Sequence, residues 1–387
     1  MRSAAWATTA IVMFGCAQGA PAGDPAEDVS AAAAPDAGPA DADGGVLVRA
    51  CDPSIAAGEG VAITDTGACP GVIPPTASCA AELTVCAGLG SGANGVYGNI
   101  VSRATSDGRG SAVLSCQRSD VGPADLNFLF VPTRSGFVSK AALGADVRPL
   151  RDGFITSEGS YVLPPPTYLF LAHDGGFRAS QKGGTLHAGP DGAVIVRAVN
   201  GQLLAESFAA DGTAKTTAVI GAFTGSGADV MPGGATSSTG ATLVIWQIYG
   251  EGAANARWLG ADGSVSGAAF SIAGWTSSVP QAAALAGGVI AVAAEPQSGV
   301  TARTWRGIVA AGEMAERPAP AWLASRGDFL LLPEGRAMAF GSEIVAADGT
   351  RCGTVNLGAP LVGIGVDGTT FTARSQRTFR IYPQLFR

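Results

Sequence analysis

Along most of the chain, apolar residues come in short runs divided by Gly, Asp, Ser and Asn. One set of runs covers residues 193–199, 203–208 and 213–219, and another covers 242–249, 255–259 and 264–272. Within a run the apolar residues are often consecutive, as in Leu243-Val-Ile-Trp246. Consecutive apolar residues in a run of strand length predict a strand buried on both faces. No stretch carries the 3.6-residue period of a long amphipathic helix. The pattern predicts an all-β protein.

A short phrase recurs at the ends of these runs. It reads Leu171-Ala-His-Asp174-Gly175, Phe208-Ala-Ala-Asp211-Gly212, Leu259-Gly-Ala-Asp262-Gly263 and Val345-Ala-Ala-Asp348-Gly349. Weaker copies stand at Asp107-Gly108, Asp146-Val147 and Ala311-Gly312. Asp-Gly between two apolar runs predicts a tight hairpin, read here as a type I′ turn with positive φ at both residues. The later copies recur every 37 to 51 residues or about that, the length of one four-stranded propeller blade. The step from Asp146 to Asp174 is shorter, which leaves the count at six or seven. The expected fold is therefore a β-propeller of six or seven blades over residues 101–387. Tandem β-sandwich domains come next, then a β-helix. Past Asp348 there are runs at 361–366, 369–374 and 377–382, less than a whole unit. A closed ring must complete that unit from the other end of the chain. The runs beside Asp107, at 101–105 and 111–116, are the segments expected to do so.

Composition supports this picture. Of 387 residues, 56 are Gly and 23 are Pro, and only 14% are charged against 47% hydrophobic. Polar surface must then come from Ser, Thr, Asn and backbone, as in a tightly turned β protein. The net charge is −7 with scattered arginines, so no basic patch offers itself to nucleic acid.

The N-terminal region differs. Residues 1–16 read as an export signal, with Arg2 ahead of an apolar stretch too short to span a bilayer. The stretch ends Met13-Phe14-Gly15-Cys16, which resembles the lipobox of bacterial envelope lipoproteins, with Gly15 as the small residue before the Cys. Met13 stands where Leu is usual. The resemblance implies that Cys16 is acylated and becomes the first mature residue, anchoring the protein to a membrane. Ala17 in place of Asp after that Cys implies, by similarity to enterobacterial lipoproteins, the outer membrane. Cleavage after Ala17-Gln18-Gly19 would instead release a soluble, secreted protein. Residues 17–45 are almost wholly Ala, Pro, Gly and Asp, too poor in apolar surface to fold, and read as a disordered linker. Within it, Asp41-Ala-Asp43-Gly44 lacks the later ligands of a calcium loop.

Residues 46–100 are Cys-rich and are expected to form a small disulfide-stapled module. Besides Cys16 the chain has Cys51, Cys69, Cys79, Cys86, Cys116 and Cys352, an even number. In an exported protein these predict disulfides. No Cys-x-x-Cys occurs and no His lies near, so neither a metal site nor a cofactor is expected. The expected long bridge joins Cys116 to Cys352, with two more among Cys51, Cys69, Cys79 and Cys86. The other outcome is a bridge from Cys352 to one of those four, fastening the module to the ring.

Candidate chemistry is sparse. The chain has two histidines, His173 in a repeat turn where sister copies carry small residues, and His187 in Gly183-Gly-Thr-Leu-His187-Ala-Gly189. Both are candidates for a ligand mouth; the plain reading is a turn histidine. Gly225-Ser-Gly and Gly110-Ser-Ala lack the frame of a nucleophile elbow. Gly88-Leu-Gly-Ser-Gly precedes no helix and so does not predict phosphate binding. The Asp-Gly turns lack the Ser-x-Asp-x-Gly-x-Thr-Trp spacing of the sialidase Asp-box. Trp246, Trp258, Trp275, Trp305 and Trp322, with Tyr249, are either surface platforms or inter-blade core. The reading is a monomeric cell-envelope lipoprotein acting as a non-catalytic binding or scaffold module for an envelope protein or a saccharide. One alternative is an exported propeller hydrolase or lyase acting on a saccharide or other polymer, which needs His173 and His187 to converge. The other is a carbohydrate-binding or adhesive surface protein, which needs exposed aromatics on one face.

Overall fold

A computed structural model describes residues 52–58, 60–84, 100–117, 125–133, 136–143, 145–158, 166–249, 251–273, 281–294, 304–374 and 378–386. Cys16, the 17–45 linker, Cys51, Cys86 and Trp275 lie outside them. The described residues form seven antiparallel sheets, each one blade of a propeller. Blade I runs Ile100–Ser106, Ala112–Gln117, Asp125–Thr133 and Gly136–Leu143. Blade II runs Ala145–Leu150, Gly153–Glu158, Thr167–Leu171 and Phe177–Lys182. Blade III runs Thr185–Gly189, Gly192–Val199, Gln202–Ala209 and Ala214–Ala222. Blade IV runs Val230–Thr236, Thr242–Ile248, Ala253–Leu259 and Val265–Ala273, and blade V runs Gln281–Ala284, Val289–Ala294, Thr304–Ala310 and Arg317–Pro318. Blade VI has Leu330–Leu331, Ala337–Phe340, Glu343–Ala346 and Arg351–Leu357; blade VII has Leu361–Ile364, Thr370–Ala373 and Thr378–Tyr382. The first strands of blades III, IV and V pack on one another in turn, and that of blade VII packs on that of blade I, so first strands line the axis.

The consecutive apolar residues now have their reason. Seven hydrophobic clusters each join two neighbouring blades, so every sheet is buried on both faces. Between blades II and III, Phe170 and Phe208 meet with ring centroids 5.9 Å apart. Between blades III and IV the core is Val196, Leu203, Ile220, Val244 and Trp246. Trp246, Trp258 and Trp305 are 3%, 2% and 1% exposed, so these tryptophans are core and not platforms. Burying each side chain of this size contributes about 2–3 kcal/mol.

The repeat turns are hairpins, but not of the expected type. The N–H of Gly175 donates to Ala172 O (3.0 Å), and that of Ala172 to Gly176 O (2.7 Å). The same pair of bonds recurs at Asp211, Asp262 and Asp348. Only the glycine is left-handed, with φ +84° at Gly175 and +83° at Gly212; the Asp is not. This is a type I turn followed by a glycine bulge, in place of a type I′ turn. The Asp fastens its own loop: Asp174 Oδ1 accepts from Gly176 N–H at 3.0 Å, and Asp211 Oδ1 from Thr213 N–H at 2.9 Å. An Asn-Gly turn with positive φ at both residues does occur, at Asn200 (50°) and Gly201 (76°), between paired Val199 and Gln202. Asp146 lies inside a strand, not a turn. A further copy, Ile364-Gly-Val-Asp367-Gly368, has the same bonds but follows Asp348 too closely to fit the blade step.

Ring closure also departs from expectation. The runs beside Asp107 pair with each other inside blade I and complete nothing else. Blade VII is completed by Ala81–Thr84, paired to Thr378–Tyr382. Val61–Asp65 adds a fifth strand to blade VI, pairing with Arg351–Leu357. The Cys-rich segment thus places two of its strands in the ring. Between those strands, Cys69 bridges Cys352 across a separation of 283 residues. Cys116 is therefore not the partner of Cys352, because its strand belongs to blade I and Cys352 to blade VI. Cys79 is also disulfide-bonded. Among the described residues no helix is long and apolar enough to cross a membrane.

Candidate functional site

Antiparallel strands send the first–second and third–fourth hairpins of every blade to one face of the ring. The first–second turns sit nearest the axis. They are joined by backbone hydrogen bonds from blade to blade: Val366 N–H to Ser106 O (2.9 Å), Gly108 N–H to Arg151 O (3.0 Å) and Arg151 N–H to Pro190 O (2.6 Å). This staircase links blades VII, I, II and III. It needs close approach, since a Cβ on Gly365 would fall 1.6 Å from Ser106 Oγ, and one on Gly108 would fall 2.4 Å from Arg151 O. The turns carry Asp367, Asp107, Asp152 and Asp191 in ring order.

Their environments differ. Asp107 is fully buried. Its Oδ1 accepts from the N–H of Arg109 and of Ser111, both at 2.9 Å, while Oδ2 is sealed from solvent with no partner. Burial pushes its pKa up to about 7; the two N–H donors oppose this, and the nearby Asp367 and Asp152 add to it. Burial also raises Asp367, against a 2.5 Å hydrogen bond from Ser106 Oγ and a 2.7 Å one from Thr369 Oγ1. Asp152 is an open ion-pair centre. Arg178 donates to its Oδ2 (2.7 Å) and to its backbone O (2.6 Å). Arg109 Nε stands 2.8 Å from Oδ1, off the line of a hydrogen bond. Burial raises the Asp152 carboxyl, but Arg178 and then Arg109 outweigh it and hold the group below the usual range. Arg151 pairs with Asp191 at 2.7 Å, both largely exposed.

The two histidines go to different places. His173, in the outer hairpin of blade II, joins the ion-pair centre, with Nδ1 3.4 Å from Arg109 Nη1 and 3.9 Å from Asp152 Oδ1. His187 lies in the first strand of blade III and is 6% exposed. Its pKa falls to about 4, mainly by burial and then by the charge of Arg148, against a hydrogen bond to the backbone of Gly234 in blade IV. Its Nε2 is sealed and has no partner. The sequence singled out both histidines, and Asp107 only as a turn residue, but not Asp152, Arg109 or Arg178. Only the ring brings those four together, although Asp152 also precedes a Gly, as Asp107 does.

Chemically the face offers ion pairs to solvent, with His173 beside them, and keeps Asp107 inside. Among the described residues, no three His, Cys, Asp or Glu side chains stand together as metal ligands. Ser111 is fully buried and its Oγ has no partner, so it is not presented as a nucleophile.

No protein-family model matches the chain, and no curated protein matches it. Among solved structures it is similar to one of two prolyl endopeptidases studied for inter-domain dynamics in catalysis and specificity, with 11% identity and a TM-score of 0.44. That match covers 70% of this chain and 45% of the endopeptidase. It is also similar to TolB from Acinetobacter baumannii, at 12% identity over 67% of this chain and 63% of that one, TM-score 0.33. A third is a mutant Aleuria aurantia lectin in complex with alpha-methyl-L-fucoside, at 14% identity over 62% of this chain and 79% of that one, TM-score 0.29. At such identities a likeness concerns fold and nothing else.

Proposed function

We propose that the chain is an exported, membrane-anchored binding module of the cell envelope, holding an envelope protein or a saccharide without turning it over. The carrying observation is the division of labour on the hairpin face. Asp107 Oδ2 and His187 Nε2 are sealed from solvent, and the imidazole that solvent does reach, His173, is held between the charges of Arg109 and Asp152. The groups that solvent reaches are ion pairs such as Arg109–Asp152 and Arg151–Asp191. Paired, preorganised charges suit recognition, whereas a sealed carboxyl or imidazole cannot serve a substrate as general acid or base. The anchor reading rests on Cys16 and the stretch before it, and the Cys69–Cys352 bridge fits an oxidising compartment.

The anchor is tested by expressing wild type and Cys16→Ser in a bacterial host and fractionating the cells. Wild type should sediment with membranes, and the variant should stay unprocessed or soluble. A wild-type mature N-terminus at Ala20 in the soluble fraction would overturn it. The non-catalytic reading is tested with chromogenic glycosides and esters. Turnover that disappears in His173→Ala would sink it.

A further inference from the structure

The wedge between blades III and IV is filled differently from its neighbours. Four places before the repeat Asp, the third strand carries Phe170 in blade II, Ser207 in blade III and Trp258 in blade IV. All three are buried and face the following blade. The repeat glycine of that blade lies against the first two: a Cβ on Gly212 would fall 3.0 Å from Phe170, and one on Gly263 would fall 2.1 Å from Ser207 Oγ. Trp258 spans its wedge fully, and its Nε1 donates to Glu313 O at 3.0 Å. Ser207 is too short to do the same, and a cleft of about 90 Å³ opens on the hairpin face.

The lining of this cleft is mixed. It includes Asp191, Lys215, Thr236, Thr239 and Thr242, with Phe208 on the apolar side. Thr236 and Thr242 hold their Oγ1 atoms 2.9 Å apart. Ser207 is 4% exposed, and its Oγ is sealed without a hydrogen-bond partner, so the wedge behind the cleft is polar where the neighbouring wedges are aromatic. Asp191 is kept ionised first by Arg151 and then also by Lys215, while Asp262 is kept ionised first by its hydrogen bonds from Ser264 and only last by Lys215. The lining holds one charge of each sign, so an anionic ligand would meet Asp191 and a cationic one Lys215. A neutral hydroxyl group can donate to Asp191 and accept from Lys215 and the threonines at once. We infer that the cleft between blades III and IV binds the terminal sugar of a neutral saccharide, a ligand class that deepens the binding-module reading and rests on it.

The test uses the full chain and five probes: the methyl glycosides of glucose, galactose, mannose and fucose, and N-acetylglucosamine. Binding is read by titration calorimetry and by saturation-transfer NMR. Ser207→Phe fills the cleft as blade II does, and Lys215→Met removes an exposed ammonium without touching the core. At least one probe should bind, and each variant should weaken it about tenfold or more, the scale of losing a charged hydrogen bond. Should Ser207→Phe fail to fold, Lys215→Met alone decides. Binding of none of the probes overturns the inference, and so does binding that Lys215→Met leaves unchanged. Turnover of a chromogenic substrate would instead overturn the non-catalytic reading and leave the cleft assignment standing.

Discussion

Blades II to IV and blades VI to VII reach the same geometry by different means. Blades II, III and IV are each one contiguous stretch of chain carrying four strands. Blades VI and VII take their outermost strands from the N-terminal segment, Val61–Asp65 and Ala81–Thr84. In the first region every pairing is local, so little chain entropy is lost to close it. In the second, the partners are separated by nearly the whole ring, and the fold adds a covalent tie there, Cys69–Cys352. Local blades are written as hairpins, while closing blades are held by a strap.

The sharpest way to break the comparison is to remove the strap. A chain beginning at residue 87 lacks both borrowed strands and Cys69, leaving edges on blades VI and VII unpaired. It should lose the single cooperative melt seen by calorimetry. A sharp transition near the parent value would show that the strap is ornamental. Next comes the tie alone. For a separation of 283 residues, Cys352→Ser should cost up to 5–6 kcal/mol, or about that, in the chain-entropy picture. Urea unfolding under non-reducing conditions measures it, and a loss below about 1 kcal/mol would mean that strand pairing suffices.

Legibility followed the same division. The repeat phrase revealed the propeller because each hairpin is local and its Asp and Gly act within one loop. Its turn type was misread because a left-handed Gly is common to both turn classes, and only the φ of the preceding Asp tells them apart. Of the strap, only the tie was legible, as the second of two outcomes left open for Cys352; its strands were not. Ala81–Thr84 carries no period that names its partner, since pairing over such a distance is set by the ring and not by neighbours in sequence. The hairpin-face cluster was hidden for that reason too: Arg109 comes from a turn of blade I, Asp152 from a turn of blade II and Arg178 from the fourth strand of blade II, and the three meet only when blades I and II are side by side. His187 was visible as a residue but not as a sealed one.

The staircase joining blades VII to III offers a pH test of intermediate size. The folded pKa of Asp107 is raised to about 7 from 3.8. The native state therefore holds a proton that the unfolded chain releases, so stability is full below pH 4, or about that, and declines as pH rises towards 7. The decline from this group is at most about 4 kcal/mol. Asp107→Asn keeps an acceptor for the N–H groups of Arg109 and Ser111 and cannot ionise. It should be more stable than wild type at pH 8, with the difference vanishing near pH 4. Parallel stability–pH curves for the two proteins would show that Asp107 is not the titrating group.

The smallest effect compares an ion pair in each region. In the strap, Glu82 Oε1 accepts from Arg380 Nη2 (2.8 Å) and Nε (3.0 Å), and also from Arg374. The Arg380 side chain is 9% exposed and that of Glu82 28%. Burial raises the Glu82 carboxyl, but Arg380 and then Arg374 outweigh it, so its pKa is lowered from 4.5. A lowered carboxyl stabilises the fold above its unfolded pKa and loses that contribution as pH falls through the folded value. Glu82→Gln should then cost about 1 kcal/mol at pH 7 and less in acid, because Gln keeps an acceptor and gives up the charge. The contiguous region has its own pair, Arg151–Asp191, with side chains 64% and 62% exposed. Asp191→Asn should cost less than about 0.5 kcal/mol, since solvent and salt screen an exposed pair. Denaturant titrations at low and high salt separate the two. A cost for Asp191→Asn equal to that of Glu82→Gln would mean that burial of Arg380 lends the strap no advantage, and that the closing strand is held by its backbone ladder alone.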